Sequence, residues 1–248
     1  MGRILCVANQ KGGVGKTTTA VNLAAALAKS GHRTLLVDLD PQCNATTGMD
    51  CEPTDRHALV LEEPLHGRLC QTASPNLQLL PGSRSFCDVE YLCRDNEQTA
   101  ATLGRHLAGN TNTFDYVLID CPPSLGELTQ AALAASSEVL MPIQCEYFAM
   151  EGLTQMIHVI RRIIGRQAAR LEFGGILLTM YDSTLELTCE VETEVREFFG
   201  DIVFDTVIPR DVTVSEAPSY GQSVIDYAPR CVGSRAYVEL CMEVLDHE

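Results

Sequence analysis

Near the N-terminus the run Lys11-Gly12-Gly13-Val14-Gly15-Lys16-Thr17 has the residue types and spacing to hold a row of phosphates. Glycine lets backbone N–H groups converge on an anion without Cβ clashes, and a helix N-terminus behind them adds partial positive charge. In such a loop Lys16 reaches the β- and γ-phosphates, the Thr17 hydroxyl ligates the Mg²⁺ that bridges them, and Thr18 belongs to the same cradle. The chemistry implied is binding and hydrolysis of a Mg-nucleoside triphosphate, ATP before others. The general pattern G-x-x-x-x-G-K-[ST] places glycine at position 10, where this chain has Gln10 and then an extra cation, Lys11. Lys11 points away from its own cradle, so it has a task only if another subunit presents a phosphate to it.

Acids complete such a site. Asp38 and Asp40 in V-D-L-D-P-Q are read as facing opposite sides of a strand end, one supporting the fold and Asp40 orienting the attacking water. Asp120 ends the apolar run Tyr116 to Ile119, the position from which a strand-end aspartate holds Mg²⁺ directly or through water. A strand-end aspartate also serves as a turn or capping residue, and it is the company of the loop that favours the metal role here.

The elements that must position these residues alternate between β-rich apolar runs and helical period, which predicts an α/β protein: a mostly parallel twisted sheet with helices on both faces, in one P-loop domain over residues 1–248. Strands are expected at Ile4 to Ala8, Arg33 to Val37, Leu77 to Leu80, Asp115 to Ile119, Val139 to Ile143, Gly174 to Thr179 and Ile202 to Val207. Helices are expected at Thr17 to Lys29, closed by Gly31, then Ser85 to Leu107, Ala149 to Arg166, Thr188 to Phe199 and Ser234 to Leu245. Gln42 to Ser74 reads as an irregular excursion with one short helix.

A hydrophobic share of 46% is enough for a sizeable core, and no apolar run approaches membrane-spanning length, so the expected location is the cytoplasm. The 11 cysteines lack any C-x-x-C pair and read as buried reduced thiols. The net charge of -15 offers nothing to a polyanion at the level of the whole chain.

Taken together, K-G-G-V-G-K-T-T-T, V-D-L-D-P-Q, D-Y-V-L-I-D-C-P-P-S-L-G, P-I-Q-C-E-Y-F-A-M-E-G-L, G-I-L-L-T-M-Y-D and V-I-P-R-D-V-T-V-S-E-A-P-S-Y-G resemble the ParA/Soj partition ATPases of the deviant Walker A class that includes MinD. The resemblance thins between about Cys43 and Arg105. It implies a slow ATPase acting in chromosome or plasmid partitioning or in intracellular positioning. It further implies a homodimer with ATP sandwiched between subunits, hydrolysis that reverses dimerisation, and a ParB-like partner that stimulates turnover. On the same resemblance Lys11 crosses to the partner's phosphates, Lys16 and Thr17 serve their own nucleotide, Asp40 and Asp120 hold water and metal, and Pro209, Arg210 and Glu216 lie in the segment lining the adenine.

One departure concerns DNA. Relatives carry basic residues after the T-M-Y-D-like segment and in the P-R-x-V-x-x-S-E-A-P stretch, where this chain has Thr184, Glu186, Thr213 and Gln222. Asp182, Glu186, Glu190, Glu192, Glu194, Glu197 and Asp201 crowd the next helix against Arg196 alone, a face that should repel a duplex. A compensating basic ridge of His158, Arg162, Arg166 and Arg170 recurs at every fourth residue, with Arg161 beside it. This allows an alternative in which a ParA-like ATPase has lost nonspecific DNA binding and positions or regulates a protein assembly. A MinD-like membrane anchor is disfavoured by the acidic ending V-E-L-C-M-E-V-L-D-H-E, and an iron–sulfur carrier by the lack of paired cysteine ligands.

Overall fold

The computed structural model describes residues 2–57, 59, 65–85, 107, 113–147, 149–166 and 171–246. Its strands are β1 (Arg3–Val7), β2 (Thr34–Asp38), β3 (Cys70–Gln71), β4 (Leu77–Leu80), β5 (Tyr116–Asp120), β6 (Glu138–Gln144), β7 (Glu172–Tyr181) and β8 (Val203–Pro209). The helices are α1 (Lys16–Lys29), α2 (Asn44–Thr47), α3 (Glu127–Ala135), α4 (Ala149–Arg166), α5 (Glu186–Phe199), α6 (Val212–Glu216), α7 (Val224–Tyr227) and α8 (Val232–Asp246). The expected helix from Ser85 to Leu107 lies, but for its end residues, outside the described residues.

Among the described residues the sheet runs β3-β4-β2-β5-β1-β6-β7-β8, with every neighbouring pair parallel except the edge pair β3–β4. The central strands β2 and β5 are buried at every position, as expected of continuous apolar runs covered on both faces. Successive residues feed opposite layers. Cys6, Val37, Ile119, Met141 and Leu178 pack with α3, α4 and α5, whereas Val7, Leu36, Leu118, Leu140 and Leu177 pack with α1 and α8. Helix α1 fits against the sheet because its small side chains, Ala20, Ala24, Ala25 and Ala28 among them, are almost wholly buried.

Register carries the site. Val7 pairs with Asp120, and Asp38 pairs with Asp120 from the other side, so the start of the glycine loop and two acids reach one level of the sheet edge. Asp38 and Asp40 do part company, although not by strand alternation: residues two apart on a strand share a face, and the separation arises because β2 stops at Asp38 and Asp40 lies in the turn beyond it.

Several expectations need correction. Strand β7 is longer than the predicted Gly174 to Thr179, because the two glycines lie inside it at a bulge between Val139 and Leu140 of the β6 pairing. A Cβ on Gly175, at φ +144°, would stand 2.4 Å from the Phe204 ring. The short helices α3, α6 and α7 carry too few turns for their period to emerge from the sequence. The thiols are not all unpaired: Cys51 and Cys70 are joined in a disulfide, with Cα atoms 6.5 Å apart. Cysteines 19 residues apart with no recognisable spacing gave no hint of it. Among the described residues no helix is long and apolar enough to cross a membrane.

Candidate nucleotide site

The loop between β1 and α1 is held from both ends. Buried Asn9 donates through Nδ2 to the Pro142 carbonyl at 2.7 Å and accepts from the Lys11 N–H at 3.0 Å, tying the loop's entrance to β6. Thr179 Oγ1 donates to the carbonyls of Val14 (2.9 Å) and Ile143 (3.0 Å), tying its far side to β7. Gly13 and Gly15 adopt φ of 74° and 85°, the left-handed region that a side chain makes costly, and Gly15 is the N-cap of α1 with no side-chain cap. The first N–H groups of α1 are therefore left to a ligand.

Gly12, Gly13, Lys16, Thr17, Thr18 and Asp40 line a cavity of about 290 Å³, walled further by Gln42, Asn44, Pro123 and Met180. Val14 is buried and lies outside this lining. A second cavity of about 190 Å³ shares Gly15, Thr18 and Met180 with the first and extends to Pro209, Arg210 and Tyr237. Glu216, the last residue of α6, is exposed and lies outside both linings. A polar, cationic hollow that opens into a less polar one suits a phosphate chain joined to a ring system.

The electrostatics are set for an anion and a cation together. Lys16 is only 6% exposed, its Nζ donating to the Lys11 carbonyl at 2.9 Å; burial lowers its pKa, opposed by the charges of Asp120 and Asp40. Asp120 is wholly buried and neither carboxylate oxygen has a hydrogen-bond partner of good geometry, although the nearby Thr17 hydroxyl favours the charged form. Burial, then the charge of Asp38, holds its pKa well above the usual carboxylate range. An orphaned carboxylate beside Thr17 is the donor set a divalent cation requires, and Mg²⁺ fits these residues. Asp38, by contrast, is satisfied: it accepts from the Asp40 N–H (3.1 Å), the Thr46 N–H (2.9 Å) and Thr46 Oγ1 (2.6 Å), and burial pushes its pKa up to about 6. It anchors α2, whose Asn44 walls the cavity. Asp40 accepts from the Gln42 N–H at 2.9 Å and lines the cavity.

Lys11 is turned out of the cradle and pairs with Glu146 at 2.9 Å, both side chains being substantially exposed. Such a pair contributes about 0–1 kcal/mol and is easily exchanged for a phosphate. Beneath the loop, Cys6 and Cys121 meet sulfur to sulfur at 3.3 Å in the core, where Cys6 and burial push the Cys121 thiol up and leave it unreactive. Asn9 was not singled out in the sequence, and Thr179, Met180 and Pro123 stood inside family-like motifs without a role at the site. Only Met180 shows an unusual state, φ 53° at the end of β7, and no residue type announces that.

A glycine loop between β1 and α1 of a parallel sheet, backed by acids at the adjacent strand ends, defines a P-loop nucleotide hydrolase. The sequence profile of a family described as an AAA domain matches residues 2–173. The chain is 45% identical over 253 aligned residues to the chromosome partitioning protein ParA of Caulobacter vibrioides strain NA1000, covering 99% of this chain and 95% of that protein. It is 43% identical to the sporulation initiation inhibitor protein Soj of Bacillus subtilis, with 98% of each covered. Among solved structures, the cobyrinic acid a,c-diamide synthase of Mycobacterium smegmatis with bound ADP and magnesium superposes with TM-score 0.85 at 34% identity, over 100% of this chain and 95% of that one. The cell division ATPase MinD of Pyrococcus furiosus gives 0.79 at 25% identity over all of both chains. The chain belongs to the ParA/Soj family of partitioning ATPases, and it is an ATP hydrolase of that type.

Proposed function

We propose that the chain is an ATP-dependent dimerisation switch, one domain acting in the cytoplasm, with ATP and Mg²⁺ in the cavity below Gly12 to Thr18 and the adenine in the hollow bordered by Pro209 and Arg210. The observation that carries this reading is the orphaned carboxylate of Asp120 at the level of the glycine loop. Backbone N–H groups of the loop and the Lys16 ammonium gather the β- and γ-phosphate charge. Thr17 and Asp120, with Asp40 nearby, hold the metal; when bound it neutralises developing charge on the phosphate oxygens. Asp40 orients the attacking water, and the scissile bond needs little else from protein than position. Glu216 follows Ser215, which lines the hollow, and on this reading it closes the hollow from the rim.

Lys11 reaches the phosphates of a second copy once it leaves Glu146, so ATP favours the dimer and hydrolysis releases it. A ParB-like protein is the expected stimulator. The test is the Lys11→Ala variant in sizing experiments: ATP should no longer produce a dimer while monomeric ATP binding persists. Unchanged dimers would remove the intersubunit role.

A specific observation also favours the version of this function without DNA. Along α5 the residues Glu186, Glu190, Glu194 and Glu197 are exposed, against two described exposed arginines, Arg161 and Arg162, with His158 beside them on α4. Nonspecific DNA affinity comes from phosphate neutralisation. Co-sedimentation with duplex DNA and ATP across a salt series should therefore show weak retention. Strong, salt-sensitive retention lost in Arg161→Ala/Arg162→Ala would restore DNA binding and place it on α4.

A further inference from the structure

The outer face of α5 combines two features that solvent does not explain. Its buried side is the line Thr188, Val191 and Val195. On the opposite side Glu186, Cys189, Glu190, Thr193, Glu194 and Glu197 form one open face of the helix. Glu186, Glu190 and Glu194 follow one another at four-residue spacing, where like charges repel, and Glu197 stands in the last turn, where the helix dipole disfavours an anion. The one basic residue of the helix gives no relief on this face. Arg196 is drawn inward, to Glu192 at 2.9 Å and to the carbonyls of Phe204 and Asp205 at 3.1 and 3.2 Å. Among the described residues no cation forms an ion pair with Glu186, Glu190, Glu194 or Glu197.

The second feature is apolar. Leu187 and Phe198, eleven residues and so three turns apart, share a strip along the edge of this acidic face and are 46% and 72% exposed. Leu185 and Ile202, at the two ends of the helix, are 53% and 41% exposed. Phe198 meets the Phe199 ring edge-on at 4.8 Å and still leaves most of its surface to solvent, while a duplex or an anionic bilayer would be repelled by the carboxylates.

We propose that this face of α5 docks a cationic amphipathic helix of another protein, its lysines or arginines over the glutamates and its apolar residues against Leu187 and Phe198. The charge fixes the sign of the partner, and the adjoining strip fixes its second face; together they give electrostatic steering and an apolar anchor. The inference does not rest on the ATPase reading, because α5 lines neither of the two nucleotide cavities.

The probe is a fluorescent helix-forming peptide with lysine at four-residue spacing and leucine and phenylalanine on the adjoining strip, followed by anisotropy with the full chain across a salt series. A scrambled peptide of the same composition is the control. The designed peptide should bind about tenfold or more tightly than the scramble, a difference of roughly 1.4 kcal/mol. Glu190→Gln/Glu194→Gln/Glu197→Gln should weaken it about tenfold at low salt, and Phe198→Ser should weaken it severalfold with every charge retained. Basal ATP turnover of both variants, unchanged from wild type, shows that they are folded. Absence of saturable binding, equal affinity for the scramble, insensitivity to Phe198→Ser, or displacement of the peptide by duplex DNA would each overturn the proposal.

Discussion

Replacing Asp120 with asparagine should make the nucleotide-free protein more stable while removing its response to magnesium. Asp120 is wholly buried with both carboxylate oxygens unpartnered, and burial followed by the charge of Asp38 raises its pKa well above the ordinary value. A group whose pKa is higher in the native than in the unfolded state binds more protons when folded, so its contribution is greatest below the unfolded value near 3.9 and is lost as pH rises through the native value. Asp38, raised to about 6, acts in the same direction. Wild-type protein in a chelator should thus lose stability from about pH 4 upward through pH 6 and beyond. An unsatisfied buried charged group costs about 1–3 kcal/mol or more, and each kcal/mol shifts the melting temperature of a chain this size by roughly 2–4 °C. Asparagine keeps the shape and discards the charge, so the variant should melt roughly 2–12 °C higher than wild type near pH 8, the gap closing toward pH 5. With MgATP at a hundred times its Kd, wild type should gain about 2.7 kcal/mol and the variant little. Scanning fluorimetry of both proteins in chelator and in MgATP, at several pH values, reads all of this. A variant that melts below wild type near pH 8, or a gap that does not change with pH, would refute the claim that Asp120 is an orphaned carboxylate awaiting a cation.

Three further outcomes are expected. Lys16→Ala removes the buried ammonium proposed to gather phosphate charge, so calorimetry should find ATP bound roughly 10–150-fold more weakly, as the loss of a charge-assisted hydrogen bond dictates. Thr179→Val leaves the carbonyls of Val14 and Ile143 without its hydroxyl; thermal melts should register a loss of about 1–3 kcal/mol, and nucleotide affinity should fall because the loop is no longer tied to β7. Alkylation of the denatured, unreduced protein followed by mass mapping should leave Cys51 and Cys70 unlabelled, and labelling of both would contradict the pairing.

The sequence by itself determined the loop, the order of strands and helices that frame it, and the acids worth watching, because those features are local. Glycines that need left-handed backbone, apolar runs buried on both faces, and an alanine-rich helix leave their mark within a few residues. What each acid does was decided by register and by where β2 ends. Asp38 and Asp40 have the same chemistry two positions apart, yet Asp38 anchors α2 through Thr46 while Asp40 lines the cavity, and Asp120 has only the Thr17 hydroxyl nearby and no hydrogen bond of good geometry. Asn9 and Thr179, which fasten the loop to β6 and β7, make contacts across 133 and 165 residues, so no local spacing shows that either holds the loop, even though Thr179 lies within the G-I-L-L-T-M-Y-D segment. The same holds for Cys51 and Cys70 and for the side of α5 that Arg196 abandons. Local backbone preference is written in neighbouring residues; which polar atoms find partners depends on chain segments that meet only when the sheet assembles.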